Sequence, residues 1–399
     1  MLKDYCREEK TGGLSDEHFL LVGLERCIGH YDSGRDLLQK LSDNGEALAR
    51  ATFFDALKQP RRLAVIKEVT ERTAINAAKE MAEVDWLRSI PELEDRQVWA
   101  IDGHQIEHAC HALLDKGGKR VPVGCLYAFD LHKGLLHPLC THQGNGKRTA
   151  EVKAFRKAFS AQLARKGFPV RPIVVVDMAF IDGAYWSNLR LQSPNAPVII
   201  TRQKENMNPE NYGSIPFDRL DPVNVGVVSY EMVGFNNCLQ MYRITYKDPE
   251  NSAEFVFLTS DSTLRPGVVA LLYRLRWKIE KTYNTCKSKL HLTKAWANGD
   301  IAQQMQAQFT VLTHNLLTLL QYKLDRDQKI TERKLVKKHD VIEGKRRENN
   351  APDHPFHLIA RLALQLSSQF IRLVRTLLHQ TIAWRDTFPH FDERMKKYL

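Results

Sequence analysis

The chain has 399 residues, with 58 Lys and Arg against 47 Asp and Glu, which gives a formal net charge of +11. An apolar fraction of 43% with only 21 Gly and 16 Pro excludes collagen-like, low-complexity and wholly disordered classes. The length allows two or three domains. The excess of positive charge favours a polyanionic partner, and nucleic acid is the first candidate.

The cysteines, the charged first ten residues and the longest uncharged run indicate the cellular compartment. Seven cysteines are present without a CxxC pair, so neither a disulfide framework nor a zinc ribbon is indicated, and a reducing cytoplasm fits best. Residues 1–10 are too charged for a signal peptide. Residues 301–322 carry no charge, but their five Gln are too polar for a membrane span, so we expect a buried helix and no membrane association.

The first part of the chain has helical patterning. Apolar residues recur at helical spacing from residue 14 to about 87, with breaks at 43–45 and at Pro60, which predicts an all-helical region over 1–95. Thr52 is the expected N-cap of a short helix that ends before Pro60. The basic residues around it fit a helix-turn-helix that binds the ends of a DNA segment, and they equally fit a solvated helix face. These residues are Arg50, Lys58, Arg61 and Arg62.

A different pattern begins at about residue 96 and defines a second domain to about 324. Two apolar runs, 98–101 and 173–176, each end in a carboxylate, Asp102 and Asp177. The order of predicted elements is three strands, helix, strand, helix, strand, which is the order of a ribonuclease-H-like α/β core. The remaining elements are strands over 121–129, 135–140 and 198–201 and helices over 150–166 and 183–191, the second capped by Asp182.

A β-rich insertion follows over about 206–260, with strands predicted at 225–232, 238–246 and 255–259. We expect the chain to leave the core after Thr201 and to return near Arg265, because added strands in the central sheet would keep the next helix from reaching the two aspartates. Helices are predicted from 265 to 324 and over 355–387. Residues 325–399 form a basic helical C-terminal region that is a candidate for dimerisation.

One predicted helix carries a face of reactive side chains. Tyr273, Arg276, Glu280 and Lys287 fall within about 60° of one another around the helix axis. Taken alone, these four residues also fit an ordinary charged face. If the strands before Asp102 and Asp177 are parallel neighbours, however, the helix could bring Glu280 to the same sheet edge. Three carboxylates suit Mg²⁺, and two such ions ~4 Å apart support phosphoryl transfer.

The spacing Y-x2-R-x3-E-x6-K of these four residues resembles the YREK signature of bacterial insertion-sequence DDE transposases. Asp102 in WAIDG and Asp177 in VVVDMAF look like the first and second catalytic aspartates of that group. The segment 199–204, IITRQK, is also similar to the family pattern and contains Arg202. The resemblance covers about residues 97–320. Two positions depart from it, since Met178 and Ala179 replace a common Arg-Gly pair and no Trp lies between Trp186 and Trp277.

The resemblance implies cut-and-paste movement of a DNA element in the bacterial cytoplasm, at the nucleoid. A homodimer would pair the terminal inverted repeats, cleave them and join the 3′-hydroxyls to target DNA. Asp102, Asp177 and Glu280 would be catalytic and would bind two Mg²⁺ ions, which Mn²⁺ can replace. Tyr273, Arg276, Lys287 and Arg202 would contact the double-stranded DNA.

Two other functions stay open at the level of sequence. A transposase-derived DNA-binding regulator could keep the fold without catalysis, although the presence of all three carboxylates favours the enzyme. A zinc hydrolase could use His104, His108 and His111, whose spacing suits metal ligands on a helix. The HExxH motif of many zinc hydrolases is absent.

Overall fold

A computed structural model gives the architecture of the chain. It describes residues 14–29, 31–43, 48–81, 87, 90–107, 118, 122–143, 148–166, 171–192, 195–235, 239–249, 251–290, 292–328 and 366–380. The helices are α1 (Asp16–Ile28), α2 (Gly34–Asp43), α3 (Arg50–Ala56), α4 (Pro60–Glu80), α5 (Arg148–Lys166), α6 (Gly183–Gln192), α7 (Pro266–Lys289), α8 (Asp300–Gln328) and α9 (Ser368–Gln380). The strands are β1 (Val98–Ile106), β2 (Val123–Asp130), β3 (Leu136–Gln143), β4 (Ile173–Val176), β5 (Val198–Arg202), β6 (Glu210–Ser214), β7 (Val227–Phe235), β8 (Leu239–Lys247) and β9 (Glu254–Thr259).

The described part of the N-terminal region is helical, as predicted, but the N-cap of α3 and the surroundings of two basic residues differ from the prediction. Helix α3 begins at Arg50 after Ala49, so Thr52 lies inside the helix and its prediction as the N-cap was wrong. Arg61 and Arg62 both pair with the buried carboxylate of Asp16. Asp16 therefore compensates their positive charge within the fold, and these two guanidinium groups are less available to bind a phosphate.

All nine strands form one mixed sheet in the order β3-β2-β1-β4-β5-β9-β8-β7-β6. Strands β1, β4 and β5 are parallel, and β2 and β3 are antiparallel neighbours at one side. The β-branched run of β4 is fully buried at the centre, as its continuous apolar pattern predicts. Asp182 caps α6 by accepting a hydrogen bond from the backbone N–H of Tyr185 at 3.1 Å, which confirms that predicted cap.

The inserted strands β6–β9 do not leave the sheet, so that expectation was wrong. Strand β9 pairs antiparallel with β5, from Ile200 opposite Thr259 to Arg202 opposite Phe257. The physical reason is that β5 would otherwise be an edge strand with unpaired N–H and C=O groups, and β9 satisfies them. The insertion is thus an extension of the central sheet.

Helices cover both faces of the sheet. Helix α7 packs on one face, against apolar residues of β1, β4, β5, β7, β8 and β9. Helices α5 and α6 pack on the other face, where Phe155, Phe159 and Trp186 meet alternate residues of the same strands. The result is a three-layer α/β core of the expected class.

A second hydrophobic core joins the two ends of the described chain. Residues of α1–α4 pack with α8 and α9, and the end of α7 contributes Cys286. Phe309 of α8 lies at its centre, 5.5 Å from the rings of both Phe19 and Trp296. Helix α8 confirms the buried helix predicted over 301–322. Within the described ranges, no helix combines the length and the apolarity that crossing a membrane requires.

Candidate active site

Asp102 and Asp177 lie just beyond the end of the parallel ladder between β1 and β4. The ladder between β1 and β4 ends where Ile101 lies opposite Val176, and the next residue on each strand is an aspartate. Strand β1 itself continues to Ile106 through its antiparallel partner β2, so Asp102 lies within the strand and does not end it. The parallel ladder still brings both carboxylates to one place, because the carboxyl ends of parallel neighbours meet at the same edge.

Helix α7 brings Glu280 to these two aspartates, and its position is fixed at both ends. At the start, the Arg265 guanidinium donates to Glu92 at 2.5 and 2.8 Å and to Asp221 at 2.9 Å. Further along, the Tyr283 hydroxyl donates to the backbone carbonyl of Asp102 at 2.7 Å. Tyr283 lies one turn after Glu280, so this bond sets the helix against β1 beside the site.

A close approach near the start of α7 requires a glycine. The backbone N–H of Gly267 donates to the side-chain oxygen of Asn224 at 3.0 Å. A Cβ atom at Gly267 would lie 1.8 Å from the carbonyl oxygen of Val223. Any larger residue would therefore move the helix away from the segment that leads into β7.

The guanidinium of Arg276 lies between two of the three carboxylates. Its Nη1 is 3.4 Å from Asp102 Oδ2, and its Nη2 is 2.7 Å from Glu280 Oε1. The residue is only 5% exposed, and its Cζ lies 5.3 Å from the ring centre of Tyr273. Burial lowers the pKa of Arg276, but Tyr273 and the charges of the three carboxylates outweigh burial and raise it. Arg276 is thus a permanent cation at the centre of the acidic cluster.

The electrostatics of Asp102 show that the three carboxylates share one environment. Burial, together with the charges of Glu280 and Asp177, raises the pKa of Asp102 to about 6. Arg276 and the backbone N–H of Gly103, which donates to Asp102 Oδ1 at 2.8 Å, act in the opposite direction. The net rise means that ionised Asp102 is costly here, and such a shift at a cluster of acids is typical of a functional site.

The predicted DNA-contacting residues surround this cluster. Tyr273 is buried beside it, and burial raises the pKa of its phenol together with the charge of Asp177. Arg202 ends β5, and its Cζ lies 5.3 Å from the ring centre of Phe255. Lys287 is exposed on the last turns of α7. It lies near enough to β1 that its charge adds to the larger effect of burial, and together they lower the pKa of His104 to about 4.

Two residues of the site escaped the sequence analysis. Tyr283 escaped because a hydrogen bond to a backbone carbonyl 181 positions away leaves no sequence signal. Trp277 follows Arg276 directly, and it is 57% exposed although α7 is otherwise largely buried. Its helical position three residues before Glu280 could have shown that it lies next to the site. An exposed indole beside an acidic cluster offers a flat surface on which a nucleobase can stack.

The donor set fits a hard divalent cation by its chemistry, since carboxylate oxygens are what Mg²⁺ prefers. Among the residues that the structure describes, however, no three His, Cys, Asp or Glu side chains are gathered closely enough to hold a metal ion. At this site the guanidinium of Arg276 contacts both Asp102 and Glu280. Asp102, Asp177 and Glu280 would be the ligands once that guanidinium moved.

The histidine cluster considered for zinc does not have the expected form. His104 lies in strand β1 and is buried 5.1 Å from the ring of Tyr283, so the expectation of helical spacing was wrong at this residue. His108 and His111 lie outside the described residues.

The comparison with known families agrees with this geometry. Residues 94–316, more than half of the chain, match the family model of the transposase DDE domain. The chain therefore belongs to the transposase DDE domain family. Membership supports a ribonuclease-H-like fold, DNA binding, and a DNA-cleaving activity of the kind that generally uses divalent metal ions. No curated protein matches the chain.

Proposed function

We propose that the chain is a cut-and-paste DNA transposase of the YREK group, which cleaves the ends of an insertion sequence and transfers their 3′-hydroxyls into target DNA. The observation that carries the proposal is that Arg276 contacts both Asp102 and Glu280, and that Asp102 feels the charges of Glu280 and Asp177. Each of the other two carboxylates raises the pKa of Asp102. This arrangement has the elements that a phosphodiester-cleaving carboxylate site needs.

The three carboxylates are the proposed catalytic residues and metal ligands. Two Mg²⁺ ions, or Mn²⁺ in their place, would supply activation of the attacking oxygen and stabilisation of the leaving oxygen. Asp102 is held for this role by the backbone N–H of Gly103 and, through its own carbonyl, by Tyr283. Glu280 is 32% exposed, which leaves it accessible from the solvent side.

The proposed DNA path runs along the exposed side of α7. Lys287 lies two turns beyond Glu280 and would neutralise a backbone phosphate, as Arg202 would at the end of β5. Tyr273 and Arg276 would contact the strand next to the scissile bond. Trp277 would stack on a base there, a role that base–aromatic stacking fills without sequence preference.

The assembly that we propose is a homodimer on the two terminal inverted repeats. Helical region 1–95 would bind the element ends, and region 325–399 would contribute to dimerisation. Arg50 and Lys58 remain for DNA contact in the N-terminal basic cluster. Lys58 pairs with Asp55 at 3.6 Å on the exposed surface. Surface pairs of that kind are weak, so phosphate can displace Asp55.

The test is a strand-nicking assay beside a gel-shift assay, with duplexes that span the DNA on each side of the gene. Asp102→Asn, Asp177→Asn and Glu280→Gln should each abolish Mg²⁺-dependent nicking while DNA binding stays within about twofold. Glu231→Gln is the matched control, because Glu231 is similarly shielded and pairs with Arg243 at 2.7 Å on strands β7 and β8. Full nicking by Glu280→Gln would refute the assignment.

The two alternatives give different results in the same experiment. A transposase-derived regulator would bind the gene borders without any nicking by the wild type. A zinc hydrolase would retain stoichiometric zinc after chelation. His104 gives that alternative little support, since its burial against Tyr283 leaves the imidazole without an open face.

A further inference from the structure

Arg276 has a second property that its proposed contact with DNA does not require. Its guanidinium bridges Asp102 and Glu280, which are two of the three proposed metal ligands. A divalent cation bound by both carboxylates would lie within a few ångströms of this guanidinium, so the two cations would repel each other and compete for the same negative charge.

The charges in the cluster are consistent with such an exchange. Asp102, Asp177 and Glu280 together carry three negative charges when ionised, and the guanidinium of Arg276 contacts two of these carboxylates. One guanidinium leaves two negative charges uncompensated.

Arg276 is also incompletely satisfied where it lies. Its Nε is buried and makes no hydrogen bond. An unpaired buried donor is costly, so the bridged position is one that a better acceptor can compete with. A DNA phosphate is such an acceptor, because it binds a guanidinium through two parallel hydrogen bonds.

We propose that Arg276 is an internal counter-ion that holds Asp102 and Glu280 in the metal-free protein, and that a DNA phosphate draws it away so that DNA and the divalent metal bind cooperatively. This inference rests on the proposed function and adds a regulation of the same site. Without DNA the carboxylates are neutralised internally and the metal binds weakly. With DNA the guanidinium pairs with phosphate and the carboxylates become available.

The proposal links the affinity for the metal to the affinity for DNA quantitatively. If DNA raises the metal affinity by a given factor, the metal must raise the DNA affinity by the same factor. Couplings between binding sites usually lie between about 5-fold and 150-fold, and we expect about tenfold here. Arg276→Gln removes the competing cation, so it should bind metal about tenfold more tightly than the wild type without DNA. DNA should then give little further gain.

The experiment measures Mn²⁺ binding to the full chain by the electron paramagnetic resonance signal of free Mn²⁺, with and without duplex DNA from the gene borders. Binding of Mn²⁺ to the DNA alone is subtracted. Arg243→Gln is the matched control, because Arg243 also pairs with a shielded glutamate, Glu231, but lies on β8 away from the acidic cluster. It should bind Mn²⁺ as the wild type does.

Two further variants separate the possible failures. If Glu280→Gln and Asp102→Asn leave Mn²⁺ binding to the DNA-bound protein unchanged, the metal site of the proposed function is wrong. If they abolish it while Arg276→Gln binds Mn²⁺ no better than the wild type, only the counter-ion role is overturned. Should Arg276→Gln fail to fold, the wild type decides the question, since DNA affinity that is equal with and without Mn²⁺ would overturn the coupling.

Discussion

Replacing Asp102 by Asn should stabilise the metal-free protein at alkaline pH. The folded state raises the pKa of this carboxyl from 3.8 to about 6, chiefly by burial. Asn is neutral at every pH and keeps an oxygen that can accept the hydrogen bond from Gly103. The substitution therefore removes the cost of the ionised form while preserving the local hydrogen bond.

The sign and the magnitude follow from the direction of that shift. Because the folded pKa is raised, the folded state favours protonated Asp102. Its contribution to stability is full below pH 3.8 and is lost as the pH rises through about 6. At about 1.4 kcal/mol per pH unit, ionised Asp102 costs about 3 kcal/mol at pH 8. Asp102→Asn should exceed the wild type in free energy of unfolding by up to that amount at pH 8, and by only about 0.5 kcal/mol at pH 4.

The assay is urea unfolding at pH 4, 6 and 8 in the presence of EDTA. Asp261→Asn is a control of opposite sign, because hydrogen bonds from Thr263 and Arg96 outweigh burial and lower the pKa of Asp261. That variant should lose stability at pH 8. Mg²⁺ in large excess over its weak affinity for the DNA-free protein should stabilise the wild type and leave Asp102→Asn unchanged, since only a ligand that binds the folded state stabilises it.

Two results would refute the reasoning. If Asp102→Asn were less stable than the wild type at pH 8, the Asp102–Arg276 pair would outweigh burial. If the difference between the two proteins were the same at pH 4 and pH 8, ionisation of Asp102 would not be its cause.

Three further outcomes are expected. Gly267→Ala should lower the melting temperature and slow nicking, because the new Cβ meets the Val223 carbonyl and displaces α7; an unchanged melting temperature would mean that the contact is readily relieved. Tyr283→Phe should lower the nicking rate at saturating DNA more than it lowers DNA binding, since the lost hydroxyl positions Asp102; equal losses in both assays would contradict that role. Lys287→Ala should reduce the slope of log affinity against log salt by about one, equally on gene-border and random duplexes; altered sequence preference with an unchanged slope would make it a base contact.

Much of the α/β core could be predicted from sequence because its strands are buried on both faces. The run 173–176 is continuous and β-branched, and its burial as the central strand β4 follows directly. The same argument holds for β5. The acidic residues could be placed at one edge because parallel neighbours share the direction of their carboxyl ends.

The ion pair between Arg276 and Glu280 has a signal in the sequence, which is their spacing of four residues on a helix. Residues four apart on a helix are neighbours, and opposite charges there attract. The sequence pattern places both residues on one helix face, Arg276 as a DNA contact and Glu280 as a metal ligand, and this spacing also predicts an ion pair between them. The bridge to Asp102, in contrast, depends on how α7 crosses β1, and nothing local encodes that crossing.

The wrong prediction about the insertion has an instructive cause. Added strands would keep α7 from the aspartates only if the helix approached over the edge of the sheet. The helix instead lies on the face and crosses the strands in turn. It meets Val223, before β7, at Gly267, then packs Tyr273 on Phe257 of β9 at 5.0 Å, and reaches Asp102 of β1 at Tyr283.

The dimensions explain why this crossing needs the added strands. From β8 through β9, β5 and β4 to β1 there are four strand spacings, and β7 adds a fifth, so the crossing spans about 24 Å at roughly 4.8 Å per strand. The sixteen helical steps from Gly267 to Tyr283 rise about 24 Å at about 1.5 Å each. The first half of α7 therefore rests on the inserted strands and only the second half on the parallel core. Without that extension the start of the helix would have no surface to pack on, and Glu280 would lose the support that holds it beside Asp102.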